Sequence, residues 1–221
     1  DPFVVQYWNY LTALFQGDMG RSYLQRAEVS ELIAARLPAS LLLMVAAIVT
    51  ELVFGLTIGI VAALRRNKPA DHGLMIFSFV SISAPQFVIG ILLLYVFAVK
   101  LGWFPIGGYG TVGHVVLPAV TLGFLGAGGY SRRMRSSMID VLGQDFVRTA
   151  RAKGLSENRV LYGHVFRNAM LIVIAGFPAV FISIFFSGSL IIETIFSLDG
   201  LGRLGFEAAV ARDYPVMFGT M

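Results

Sequence analysis

A single carboxylate, Glu51, stands inside the apolar run "PASLLLMVAAIVTELVFGLTIGIVAAL" at 38–64. Facing lipid at mid-bilayer, such a group costs about 3 kcal/mol, so it is expected to face a bundle interior or a water-filled cavity. There it could line a pathway and meet the cationic end of a ligand. It could equally be protonated or satisfied by a hydroxyl on a neighbouring helix. Ser81, Ser83 and Gln86 flank Pro85 in "SISAPQF". The proline frees a backbone carbonyl, which is tolerated where it lines a cavity. Glu51, Ser81, Ser83 and Gln86 are therefore pathway-lining candidates, although helix packing accounts for the last three as well.

Reaction chemistry is hard to find. The chain has no cysteine, so it offers no thiolate nucleophile or disulfide framework. Its histidines, His72, His114 and His164, fit no metal-ligand spacing. Lys68, Lys100 and Lys153 follow Asn, Val and Ala, so the glycine–lysine step of a P-loop is absent. Neither HExxH nor GxSxG occurs. The chain itself is expected to be non-catalytic, with no metal and no cofactor of its own.

The elements that would position these residues are membrane helices. Of the 221 residues 57% are hydrophobic and only 14% charged, with mean hydropathy +0.76. A soluble domain cannot cover that much apolar surface with so few charges. Residues 73–99 and 168–192 carry no Asp, Glu, Lys or Arg, and both runs are long enough to span a bilayer. The expected spans are 38–64, opened by Pro38, then 73–99, interrupted at Pro85, then 115–131 and 168–192. A further span begins at 214–221. Gly55 and Gly59 form a small-xxx-small pair that lets another helix approach. Residues 1–37 mix aromatics with charge and include a short amphipathic helix in "EVSELIAARLPAS"; Tyr7, Trp8 and Tyr10 suit an interface. The chain begins without Met and ends as a new apolar segment starts, which reads as a piece of a longer protein.

Lys and Arg set the orientation. Arg65, Arg66 and Lys68 lie between the first two spans, and Arg132, Arg133, Arg135, Arg148, Arg151, Lys153, Arg159 and Arg167 between the third and fourth. The positive-inside rule puts both segments in the cytoplasm, and 1–37, the loop after 99 and 193–213 outside. Charge of this kind reports topology and does not form the exposed basic stripe of a nucleic-acid binder.

The long insert at 132–167 is the most informative segment. Met134, Met138, Leu142, Phe146 and Ala150 recur every four residues, an amphipathic helical stripe. Gly154 supplies a helix-ending position, with Arg148, Arg151 and Lys153 in the last turn beside the carbonyl end of the dipole. Ser156 is a cap candidate for a second helix that starts at Glu157. Helix, glycine corner, helix is an elbow projecting into the cytoplasm. It could lie on anionic lipid or receive a protein partner.

"RTARAKGLSENRVLYGHVFRNA" resembles the cytoplasmic EAA loop of ABC-importer permeases, and in particular the B-type subunit of the dipeptide/oligopeptide branch. Aligned on Gly154, the Glu-Ala-Ala triplet falls on Arg148, Thr149 and Ala150, so the Glu is absent. "GDMGRSY", "ARLPASL", "WFPIGGYG" and "ETIFSLDGLGRLGFEAAVARDYPVM" are similar to that branch in the same order. The resemblance implies an all-α integral membrane protein with the type I ABC-importer permease fold, five to six transmembrane helices in the full chain, in the bacterial inner membrane. It implies one helix before Asp1 and a last helix continuing past Met221. It also implies four kinds of partner: a second homologous permease, two ATP-binding subunits that hold ATP and magnesium, an external substrate-binding protein, and the bilayer.

On that resemblance the elbow docks on the ATPase through Asp145, Arg148, Thr149, Ala150, Lys153, Gly154 and Ser156. Asp145 would replace the missing Glu, unless it only pairs locally with Arg148. Glu193, Asp199, Arg203, Glu207, Arg212 and Asp213 would receive the binding protein. The cargo implied is a di- or oligopeptide, with nickel chelates, glutathione and peptide antibiotics as alternatives inside the same branch. An ion-driven secondary transporter or channel is the main rival outside it. Glu51 alone is a thin ion relay for such a protein, and the elbow would have no role in it. An intramembrane enzyme is disfavoured by the missing catalytic constellations.

Overall fold

The computed structural model describes residues 2–187 and 190–221. Two residues of the expected fourth span, 188 and 189, lie outside the described residues. Among the described residues the chain is helical, with one isolated antiparallel bridge between Arg21 and Glu28.

In chain order the helices are α1 (Phe3–Phe15), α2 (Val29–Leu64), α3 (Pro69–Ser83) and α4 (Gln86–Leu93), the last extended by a π-helical turn at Leu94–Lys100. Then come α5 (Val112–Leu142), α6 (Asp145–Ala152), a π-helical segment at Arg159–Phe166 that runs into α7 (Arg167–Ser187), α8 (Leu190–Ile195), α9 (Leu201–Ala211) and α10 (Tyr214–Thr220). The helices long and apolar enough to cross a membrane are Val29–Leu64, Val112–Leu142 and Arg159–Ala179, with the bent pair Pro69–Ser83 and Gln86–Lys100 as a fourth candidate.

Three boundaries differ from expectation. The amphipathic segment at 28–40 and the first span are one helix, and Pro38 lies inside it. Proline's φ suits a helix, but its missing N–H and its ring disfavour the interior. The opening turns are held in line by tertiary packing, since Val29 and Leu32 are buried against Leu204, Ala208 and Val216. The second span is not one helix: α3 and α4 meet at 104°. Pro85 pushes Ala84 into extended backbone, φ −74° and ψ 130°, which ends α3. Finally, residues 132–142, expected in the cytoplasmic insert, are the last turns of α5. The methionine stripe follows α5 down to Leu142, but Gln144 is extended, so Phe146 falls on a separate helix and is exposed.

The α2–α5 pair is the spine of the molecule. Gly55 and Gly59 face α5, where an added Cβ would come within 2.7 Å of Tyr130 Cβ and 2.6 Å of the Ser131 carbonyl oxygen. That contact is the close approach expected of the small-xxx-small pair. One apolar cluster joins Leu43, Ala47, Leu117 and Leu122 to Ile192 and Phe196. A second joins Met134 and Met138 to Val147, Ala150, Val160 and Val165, so the elbow is seated on the end of α5. Val45, Val49 and Val53 on α2, Ile76, Phe79 and Val80 on α3, and Leu171 and Ile174 on α7 point outward. Lipid or another apolar helix is the natural cover for such faces.

Candidate functional site

The elbow is built by two breaks in the helix. Gln144 opens α6, and Gly154 closes it with φ +77°. The Gly154 N–H donates to the Arg151 carbonyl at 2.9 Å and the Leu155 N–H to the Ala150 carbonyl at 3.4 Å. These two bonds form a Schellman motif, which requires a left-handed residue at Gly154. The next helix starts at Glu157, immediately after Ser156. No side chain caps it; Arg151 instead reaches across the corner to Glu157 with bonds of 2.6 and 3.1 Å. That guanidinium holds the Glu157 carboxyl below the usual carboxylate range.

The underside of the elbow is buried through Val147, Ala150, Val160 and Val165. Ala150 is therefore turned into the core and presents no side chain outward. Asp145, Arg148, Thr149, Lys153, Gly154 and Ser156 are exposed. Arg148 lies 3.6 Å from Asp145, so the local pair exists, with both side chains largely in solvent. Thr149 donates its hydroxyl back to the Asp145 carbonyl at 3.0 Å. Phe146 and Tyr162 are also exposed on this unit.

The pathway candidates do not form one cluster. Glu51 and Ser81 are buried against α5 from different sides. The Glu51 carboxylate fills the space that a Cβ on Gly126 would take, and Ser81 packs against Gly128. Ser81 donates to the Ser78 carbonyl at 2.9 Å, and the Ser78 and Ser131 hydroxyls are 2.6 Å apart, so this set is engaged in helix packing. Ser83 is exposed at the end of α3, and Gln86 is half-buried at the start of α4.

At the other end, Glu193 and Asp213 depart from the expected outward docking role. Both are buried. Glu193 accepts the Ser40 hydroxyl at 2.7 Å and the Arg203 N–H at 2.8 Å, while Ser40 accepts the Leu201 N–H at 2.8 Å. Together they satisfy N–H groups of the first turn of α9, where a negative charge is favoured. Asp213 accepts from the Ser22 hydroxyl and from the Tyr23 and Leu24 N–H groups, which ties 22–24 to the start of α10. Burial works against its ionisation, but these bonds outweigh it and hold its carboxyl below the usual range. Asp199, Glu207 and Arg212 remain exposed, and Arg203 is half-buried. Asp199 pairs with Arg36 at 2.9 Å, and Arg203 with Glu207 at 2.7 Å.

Sequence reasoning missed Asp71. It is buried at the start of α3 and holds Arg135 of α5 with two bonds, while the Asn67 N–H donates to it at 2.9 Å. The only sequence signal was an acid in the first turn after Pro69, and nothing in the spacing singles out Arg135 from Arg132 and Arg133.

Residues 55–221 match the family model described as "Binding-protein-dependent transport system inner membrane component". The chain is 43% identical to the oligopeptide transport system permease protein AppB of Bacillus subtilis, over 98% of this chain and 72% of that protein. It is 42% identical to the glutathione transport system permease protein GsiC of Salmonella typhimurium, over 98% of this chain and 70% of that one. A putative peptide transport system permease protein of Brucella abortus is 42% identical over all of this chain and 72% of its own length. A crystal structure of an amino acid ABC transporter with histidines superposes with TM-score 0.62 at 16% identity, covering 86% of this chain and 85% of that one. This last likeness concerns the fold.

Proposed function

The chain belongs to the inner membrane components of binding-protein-dependent transport systems, and from that premise we propose that it forms one half of a peptide pathway driven by separate ATPase subunits. The fold is that of a type I ABC-importer permease, a multi-pass protein of the inner membrane. As a member of such a system it works with a substrate-binding protein and an ATPase. The finer composition belongs to the proposal: a second, homologous permease, two ATP-binding subunits that hold ATP and magnesium, and no catalysis in this chain.

The observation that carries the reading is the elbow. Its apolar underside is locked onto α5, while its polar face is free of the fold. A partner that grips Asp145, Arg148, Thr149, Lys153 and Ser156 moves α5 with it. Peptide cargo is supported by the relatives at 42–43% identity named for oligopeptide and peptide transport. Glutathione, named for others, is itself a modified tripeptide. Glu51 would face the pathway, with Ser83 and Gln86 at the bend. Asp199, Arg203, Glu207 and Arg212 would meet the binding protein.

The test is the reconstituted complex carrying Gly154→Pro, since proline cannot adopt φ +77°. The complex should still assemble, while its ATPase no longer responds to loaded binding protein and uptake is lost. Peptide uptake that persists with no ATPase subunit present would overturn the reading.

A further inference from the structure

The helix α1 is short, uncharged and two-faced. Its 13 residues rise about 20 Å, too little to cross a hydrocarbon core of about 30 Å. It is a finished helix all the same. Gly17, at φ +83°, ends it: the Gly17 N–H donates to the Leu14 carbonyl at 3.0 Å and the Asp18 N–H to the Ala13 carbonyl at 2.9 Å. No Asp, Glu, Lys or Arg occurs between Phe3 and Gly17. Val4, Tyr7, Leu11 and Leu14 line up along one face, with Trp8 and Phe15 beside them. Gln6, Asn9 and Thr12 stand on the opposite face.

The apolar face is not used by the fold. Phe15 is 90% exposed, Val4 75% and Trp8 66%. A helix of this length with an uncovered apolar face is neither a span nor a core element, which leaves an in-plane position at the membrane surface. Its placement agrees. At the edge of that face Tyr10 meets Phe218 of α10, ring centroids 6.2 Å apart, and Phe218 is itself half-exposed. The apolar face of α1 therefore continues the outward surface of α10 one turn below its start at Tyr214. Trp103 and Tyr109 of the outer loop and Tyr214 are exposed as well, the residue types of a membrane–water boundary.

We propose that α1 lies in the outer leaflet as an in-plane anchor, with Tyr7, Leu11 and Leu14 turned into the acyl chains and Asn9 and Thr12 towards water. With no basic residue on the helix, apolar burial holds it there and anionic headgroups are not needed. The segment after it is stitched to two spans. The Gly20 carbonyl accepts the Val29 N–H at the start of α2 at 3.0 Å, and Asp213, before α10, binds residues 22–24. The anchor thus sets the depth of the outer ends of α2 and α10.

The test uses the full complex in nanodiscs of phosphatidylethanolamine and phosphatidylcholine. The photoreactive p-benzoylphenylalanine replaces Tyr7, Leu11 or Leu14 on one face, or Asn9 on the other, and mass spectrometry after illumination identifies what each has captured. Lipid adducts at Tyr7, Leu11 and Leu14 should exceed those at Asn9 at least ~fivefold, with or without the binding protein. Leu11→Asp and Leu14→Asp together should bring the Tyr7 adduct down to the Asn9 level. Capture of the binding protein or of another subunit by the apolar face overturns the anchor. So do equal lipid adducts on both faces, no adduct at any position, or a Tyr7 adduct that survives both aspartates. A yield that appears only when phosphatidylglycerol is added overturns the uncharged mode of attachment.

Discussion

Asp71 and Arg135 hold each other across the α3–α5 contact through bonds of 2.6 and 2.7 Å, with Asp71 1% exposed. Removing one partner of a buried pair strands the other. Asp71→Ala is expected to lower stability by about 3 kcal/mol. Arg135→Lys is expected to rescue little, since an ammonium cannot make the fork. Unfolding in detergent, followed by tryptophan fluorescence against denaturant, reads both.

Glu193 makes a contrasting prediction, because it serves the fold where an outer contact was expected. Glu193→Ala leaves the Arg203 N–H without its acceptor in a buried site, for a loss of about 2 kcal/mol. Hydrogen exchange should speed up at the first turn of α9. Arg203→Ala and Glu207→Ala should leave that turn protected while weakening the binding protein's stimulation of ATPase. Protection lost in all three variants would remove the distinction.

Asp213 gives a pH dependence with a definite sign. Its folded carboxyl ionises more readily than an unfolded one, so the unfolded chain binds more protons in the acid range. The stability it contributes is complete above the unfolded Asp value of about 3.9 and drains away as pH falls through the lower folded value. Asp213→Asn should flatten the acid limb of a melting-temperature profile below about pH 4. A limb of unchanged slope would show that other carboxylates carry it.

Asp145 and Arg148 test the elbow at one contact. Their local pair is largely solvent-exposed and contributes little to folding. Asp145→Ala should therefore leave thermal stability unchanged while reducing the ATPase response to loaded binding protein. A response that stays intact assigns Asp145 to the local pair alone.

Much of the architecture was readable from the sequence because its signals are local. Gly55 and Gly59 announced a close helix contact, Pro85 a break, and Gly154 a left-handed helix end. The depth of α2 and α5 was not readable. Pro38 reads locally as the start of a helix, and Val29 and Leu32 carry the helix back beyond it through contacts with α9 and α10, far along the chain. The same distance in sequence hid the partners of Glu193 and Asp213. Charges near a loop read as surface unless one knows that Ser40 or Ser22 will arrive. Arg133 counted towards membrane orientation, and only the fold places it beside Gly176.

Between Pro118 and Leu142, α5 has no proline, and it rises about 1.5 Å per residue, or roughly 36 Å in all. The elbow is clamped to its inner end. Such a rod behaves as a crank: a tilt of about 5° at the elbow displaces the far end by about 3 Å, enough to open or close a water-wide gap. The stroke of the machine is then set by the length of one helix, and breaking α5 with a single proline between Tyr130 and Leu142 should shorten its reach before it weakens its grip.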